Sequence, residues 1–290
     1  MEFVIGALSA IGAGVFTNPL EVVKTRFQLQ GELRKRGNYS VHYRNFIHAG
    51  YVIAKVDGIT ALQKGLVPAL CHQWAEDRNL HLKENGEISL AKSMAIGGVM
   101  GAIGSFTGSP LYLVKTRLQA QSDNRIAVGH QHHVAGLRHA LITAYHQEGI
   151  RGLWRGVGGS IPRMVVGSSS QLGTFFICRE FLEKNEHFRI ERGLLNTFLA
   201  SMMGGVVVAI TMGPLDVIST RLYNQGVDCH GKGLLYSSYM DCVKKMWYTE
   251  GFQGFYKGII PCYMRIGPHT VLCMVFWDQL KQLQSKFMPR

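Results

Sequence analysis

Three stretches of this chain can be laid on one another residue by residue. They are Pro19-Leu20-Glu21-Val22-Val23-Lys24-Thr25-Arg26, Pro110-Leu111-Tyr112-Leu113-Val114-Lys115-Thr116-Arg117 and Pro214-Leu215-Asp216-Val217-Ile218-Ser219-Thr220-Arg221. Each is followed by an acid–glycine pair and then a base–glycine pair: Asp57-Gly58 to Lys64-Gly65, Glu148-Gly149 to Arg155-Gly156, and Glu250-Gly251 to Lys257-Gly258. The proline-to-glycine distance is 39, 39 and 37 residues. Two linked motifs recurring three times in register exclude chance. They also override the one or two soluble domains that 290 residues alone suggest. The units are expected to run 1–90, 91–188 and 189–290.

The repeat extends to helical faces. Counting back 5, 9 and 13 residues from each proline gives Gly14, Ala10 and Gly6, then Ser105, Gly101 and Gly97, then Ala209, Gly205 and Ser201. All are small, and a step of four keeps them on one helix face. Such faces let backbones approach closely inside a bilayer, where the hydrophobic effect does not draw helices together. The apolar runs 3–29, 92–120, 157–180, 194–224 and 259–283 are long enough to cross ~30 Å of hydrocarbon. Pro19, Pro110 and Pro214 are expected to kink their spans, tolerably where neighbouring helices satisfy the freed carbonyl. The shorter amphipathic stretches 43–56, 134–147 and 238–249 are expected to lie along the membrane surface.

Composition narrows the function. The formal charge of +12 raises nucleic-acid binding, but no zinc-finger, RNP or helix-turn-helix pattern is present and the bases are spread through the repeats. A carrier of anions, or contact with anionic lipid headgroups, fits the balance better. The six cysteines form no C-x-x-C pair, so neither a disulfide framework nor a zinc site is indicated. His130, His132 and His133 make a short metal-capable tract, but a loop before a surface helix is a poor metal cage. No nucleophile elbow, P-loop or H-E-x-x-H is found, so an enzyme is not indicated, and no cofactor or metal is expected. The first residues lack a basic region before their apolar run, which argues against a cleaved signal peptide.

With these residues in view, the chain resembles the mitochondrial carrier family over essentially its whole length. That family pairs P-x-[DE]-x-x-[KR]-x-[KR] with [DE]-G-x-x-x-x-[aromatic]-[KR]-G. The resemblance implies an all-α membrane protein of three tandem repeats, each of two transmembrane helices and a short matrix helix. These would surround one central cavity in the mitochondrial inner membrane. FTNPLEVVKTR (16–26), AVGHQHH (127–133), TRLYNQ (220–225) and RIGPHT (265–270) are similar to the subgroup near the yeast oxaloacetate/sulfate carrier. That subgroup is taken to exchange dicarboxylates and sulfur oxoanions. The expected partners are small anions and membrane lipid, cardiolipin among the candidates; no nucleic acid is expected, and the chain is expected to act as a monomer.

In the family, the acid of each proline motif pairs with the base of the next, closing the cavity on the matrix side. Carried over, Glu21 meets Lys115 and Asp216 meets Lys24. The third pair would be Tyr112 with Ser219. Both charges are missing together there, which avoids a lone buried charge, and a Tyr–Ser hydrogen bond is a natural substitute. Nine residues after each proline stand Gln28, Gln119 and Tyr223, where the family braces these pairs. Seven residues after Gly65, Gly156 and Gly258 stand His72, Arg163 and Arg265, where the family contacts substrate. An arginine at mid-membrane depth is costly and a functional candidate. Two guanidinium forks suit a dianion with planar or tetrahedral oxygens. His269 lies one turn beyond Arg265 on the same face.

Two departures stand out. Gly65 to Pro110 is 45 residues, whereas Gly156 to Pro214 is 58. The apolar run after Gly65 stops near Trp74 and gives way to AEDRNLHLKENGEIS, so the second helix is expected to be truncated. A transport-inactive splice form or a carrier-derived interaction protein is therefore one alternative to an active exchanger. A carrier of another anion, such as phosphate or a tricarboxylate, is a second. The family's cytoplasmic gate motif is also thin here, with Asp278 and Lys281 on the last helix and only Arg179 on the fourth. That thinness predicts a resting state open to the cytosol.

Overall fold

The computed structural model describes residues 2–34, 39–71, 90–184, 194–228 and 232–287. Five long helices dominate it: α1 (Glu2–Leu29), α3 (Leu90–Ala120), α5 (Val157–Lys184), α6 (Leu194–Asn224) and α8 (Ile259–Phe287). Three shorter ones lie between them: α2 (Phe46–Val56), α4 (Leu137–Gly152) and α7 (Tyr239–Glu250). At 28 to 31 residues the long helices measure roughly 42–47 Å, enough to cross a bilayer with tilt. Pro19, Pro110 and Pro214 each lie inside an unbroken helix. After Gly65 the chain is helical again over 66–71. The expected truncation, and His72 with it, fall beyond that point and outside the described residues.

The two glycine motifs have a backbone cause. Gly58, Gly149 and Gly251 follow the surface helices at φ of +87°, +69° and +66°. Gly65, Gly156 and Gly258 precede the next helices at +75°, +88° and +85°. This left-handed region is one that side-chain-bearing residues avoid. Each acid–glycine pair therefore stops a surface helix, and each base–glycine pair turns the chain back into the bundle. In α4 the break comes inside the helix, at Gly149. Side-chain caps start α2 and α7, where Asn45 accepts from His48 N and Ser238 accepts from Asp241 N.

The small-residue faces pack as their repeat implies. A Cβ on Gly101 of α3 would stand 3.2 Å from the Met164 carbonyl of α5, and Ser105 hydrogen-bonds Ser160 on the same helix. A Cβ on Gly205 of α6 would meet Ile266 of α8 at 3.2 Å. Gly97, Gly101, Ser105, Gly205 and Ala209 are buried, while Ser201 of α6 and Gly6, Ala10 and Gly14 of α1 are half-buried. Large apolar side chains such as Val99, Phe106, Ile210 and Val275 stay exposed along the long helices, as a lipid-facing surface requires. The buried hydrophobic clusters lie at the motif end. There the ends of α1 and α3 and the helix α2 share a core of Val23, Leu29, Tyr43, Ala49, Ile53, Ala61 and Ala120.

Candidate functional site

The proline motifs of α1, α3 and α6 converge, and two ion pairs form where the register puts them. Lys115 Nζ lies 2.6 Å from Glu21 Oε2, and Lys24 Nζ lies 2.7 Å from Asp216 Oδ2. Each has its brace. Gln28 donates to Asp216 Oδ2 at 2.5 Å, and its own oxygen accepts from Thr220. Gln119 donates to Glu21 at 3.4 Å, and its oxygen accepts from Thr25.

The third interface is built differently. Ser219 is fully buried, but its hydroxyl has no hydrogen-bond partner, so the expected Tyr112–Ser219 bond does not form. The reason is packing. The Tyr112 ring is met edge-on by Tyr223, with centroids 4.9 Å apart, and the Arg163 guanidinium lies over it at 4.7 Å. Ser219 meanwhile backs onto α5, where a Cβ on Gly159 would come within 3.1 Å of its α-carbon. Tyr223 still occupies the brace position, but it reaches Ser109 and Ser160, each at 2.9 Å. Thr116, the counterpart of Thr25 and Thr220, turns back to the Tyr112 carbonyl.

A second ring of contacts encloses the first. In each unit the motif arginine meets the acid of the acid–glycine pair: Arg26 with Asp57 and Arg117 with Glu148 at 2.6 Å, and Arg221 with Glu250 at 2.5 Å. Each cluster then grips the carbonyls at the end of the next unit's helix. Arg26 reaches Gln119 and Gln121, Arg117 reaches Tyr223, and Arg221 with Lys257 reaches Gln28, Gln30 and Gly31. Close approach is essential here: a Cβ on Gly65, Gly156 or Gly258 would come within 3.0 Å of Gln119, Tyr223 and Gln28 respectively. Outside the spans, Glu32 accepts from Tyr236 at 2.9 Å, and burial raises its carboxyl above the ordinary value. This ring escaped the sequence reading, although the repeat register placed all its members.

Arg163 and Arg265 stand just above the gate, and both face its carboxylates. Arg265 bonds Glu21 Oε1 at 2.8 Å, and Arg163 lies 4.0 Å from Asp216 Oδ1. His269 shares a hydrogen bond of 3.2 Å with Thr17, whose hydroxyl also donates to the Ala13 carbonyl. Thr17 is thus a neighbour of His269 that the sequence had not singled out. Arg179 pairs with Glu183 of its own helix at 3.5 Å, and Lys281 stacks on its own Trp277.

A family model described as mitochondrial carrier protein matches residues 1–76, 86–186 and 191–287, one match per unit. The chain is a mitochondrial carrier. It is 49% identical to solute carrier family 25 member 35 of Homo sapiens over 98% of both chains, and 47% identical to that of Mus musculus over 99% of both. It is 37% identical to the mitochondrial oxaloacetate transport protein of Saccharomyces cerevisiae, over 97% of this chain and 89% of that one. The carrier is thus a transporter rather than an enzyme, and a multi-pass protein of the mitochondrial inner membrane. Among the described residues of the carrier, no group of three or more His, Cys, Asp or Glu is placed to hold a metal.

Proposed function

We propose that this carrier exchanges small dianions by alternating access. The substrates are dicarboxylates of the oxaloacetate, malate and malonate type, together with sulfur oxoanions such as sulfate and thiosulfate. The observation that carries this reading is the charge at the cavity floor. Among the described residues, the ion pairs of Lys24, Lys115, Arg163 and Arg265 there involve two carboxylates, Glu21 and Asp216, a balance of two positive charges. Uncompensated charge in a low-dielectric site is costly, so a dianion is the ligand this floor favours. Both arginines already hold carboxylate oxygens or stand near them, the chemistry a dicarboxylate would offer in their place. The likeness to the yeast oxaloacetate transport protein supports the same class.

The ion-paired closure at the proline-motif end supports a resting state open to the cytosol. Transport then requires Glu21–Lys115 and Asp216–Lys24 to part as anion contacts compensate them. Units 1–90, 91–188 and 189–290 would move as the three bodies of this cycle, in a monomer within lipid that includes cardiolipin. Purified carrier in liposomes tests the reading with internal malonate and an external panel of malonate, oxaloacetate, sulfate, thiosulfate, phosphate and citrate. Exchange of the first four, abolished by Arg163→Ala and by Arg265→Ala, is expected. Phosphate or citrate as the sole exchanged anion, or unchanged uptake in both variants, would overturn it.

One observation favours a second reading, a chain shortened in unit one that no longer transports. The family match there ends at residue 76 and is more than twenty residues shorter than the other two. The alignment to the mouse relative also spans 300 positions, more than this chain has. Exchange by the chain as it stands, compared with a version lengthened after Trp74, separates the two.

A further inference from the structure

Position 112 holds an aromatic ring where the two equivalent positions hold Glu21 and Asp216. The ring is not an inert filler. It is buried, Tyr223 fixes it edge-on at 4.9 Å, and its face carries the Arg163 guanidinium at 4.7 Å. At the equivalent place in unit one the acid does the opposite: Glu21 binds Arg265 directly at 2.8 Å. Arg265 is thus held by a carboxylate at 2.8 Å, whereas Arg163 lies over a ring with its carboxylate neighbour, Asp216, 4.0 Å away. A carboxylate both positions and neutralises, whereas a ring face attracts a cation through its quadrupole and leaves the formal charge in place.

We propose that Tyr112 is a specificity-determining residue: it positions Arg163 over its ring and, by not being an acid, sets the floor at two net positive charges so that dianions are preferred over monoanions. The inference rests on the reading that Arg163 and Arg265 contact substrate, and it adds the reason for the substrate's charge. A carboxylate at position 112 would stand among Arg163, Lys115 and the incoming anion and lower the floor to one positive charge. The side-chain oxygens of the substrate would then compete with a resident carboxylate for Arg163. Tyr112 itself has no need to touch substrate; it acts through the guanidinium it holds.

Three variants at one position divide the effect. Tyr112→Phe keeps the ring, Tyr112→Asn removes it without adding charge, and Tyr112→Asp adds charge at the size of Asn. Liposome exchange is measured for malonate as the dianion and lactate as the monoanion, with KM and maximal rate fitted separately. Tyr112→Phe should keep the malonate KM within about twofold. Tyr112→Asp should raise it at least about tenfold over Tyr112→Asn, equivalent to about 1.4 kcal/mol, and increase uptake of lactate relative to malonate. Equal malonate KM values for the Asp and Asn variants would overturn the charge role. A Phe variant as impaired as Asn would overturn the positioning role. Should Tyr112→Asp fail to assemble, malonate-induced thermal shift in detergent on the Phe and Asn variants still decides positioning. Asp introduced at Gly108, one turn away on α3, then tests the charge, and an unchanged malonate KM in that variant would overturn it. Arg163→Ala runs beside them: if it exchanges malonate normally, the substrate reading itself has failed. If it is dead while Tyr112→Asp is normal, only the inference has.

Discussion

The two interfaces made by unit one and the interface between units two and three use one backbone plan with different chemistry. At the first two, a lysine and a carboxylate meet at 2.6–2.7 Å and a glutamine braces them. At the third the charges are gone, and a guanidinium, two rings and a chain of hydroxyls fill the space. A clasp outside the span adds to it. His132 Nε2 lies 2.9 Å from the Asn224 carbonyl, and the Asn224 amide donates to the His130 carbonyl at 3.2 Å. The positions equivalent to Asn224 are Leu29 and Ala120, both apolar and both in the core around α2. Polar closure has thus been kept in total but moved, from one strong buried pair to several weaker contacts spread over two layers. Were these interfaces to part, two faces would have to separate charges, and the third would only slide rings and break ordinary hydrogen bonds.

Removing one charge from an ion-paired face should have the largest effect. Asp216→Asn leaves Lys24, largely buried at this interface, without its partner, and truncating one side of a buried pair typically costs about 3–5 kcal/mol. Malonate exchange should fall below detection, and thermal unfolding in detergent should shift down markedly; wild-type stability with normal exchange would remove the distinction between the faces. Next comes the charge swap. Glu21→Lys with Lys115→Glu should retain more transport than either single reversal, although not all of it, because Arg265 also depends on Glu21. Equal loss in all three would show that the pair does not act as a pair. At the uncharged face, Tyr223→Phe takes one partner from Ser109 and one from Ser160, which keeps Ser105 and the Val157 carbonyl, and should cost about 0.5–1.5 kcal/mol, the usual worth of a hydrogen bond. A cost equal to that of Asp216→Asn would erase the contrast.

Much of this was legible in the sequence because the repeat carries it. Lys24, Lys115, Glu21 and Asp216 pair as the cyclic register requires, and Gln28 and Gln119 brace as expected, since position along a helix and threefold equivalence fix where each side chain points. Long helices and surface helices fell within a few residues of their expected bounds for the same reason. What escaped was the chemistry at the position where the repeat is broken. A missing Glu–Lys pair says nothing about what takes its place, and the nearest polar guess, Tyr112 to Ser219, ignored the ring's affinity for Arg163 and the close approach of α5 at Gly159. Unit one poses the same problem on a larger scale. The stripe Gly6, Ala10 and Gly14 follows the pattern of its buried counterparts yet is only half-buried. In the other two units such a stripe meets the unit's own second helix, and past residue 71 that segment of unit one lies outside the described residues.

The smallest effect should come from the outer clasp, and it carries a pH signature. Burial, reinforced by Arg117, holds the His132 imidazole down to about 3, against an ordinary value near 6.5. A group whose folded value lies below its unfolded one contributes stability that is present above the unfolded value and lost as pH falls. Between pH 7.5 and 6 the loss from this one histidine is about 0.8 kcal/mol, growing further toward pH 4. His130 is also lowered, and with Arg117 and His133 it makes up the charged surroundings of the site, so the total pH response of the protein has several sources. The difference between wild type and His132→Gln isolates one of them. The variant loses the titration, so its thermal midpoint should fall less steeply than that of wild type from pH 7.5 to 5. Parallel curves would mean that His132 is not held neutral and that the clasp contributes nothing to closing the uncharged face. A convergence of the two curves at low pH would locate there the polar contact that compensates for the missing ion pair.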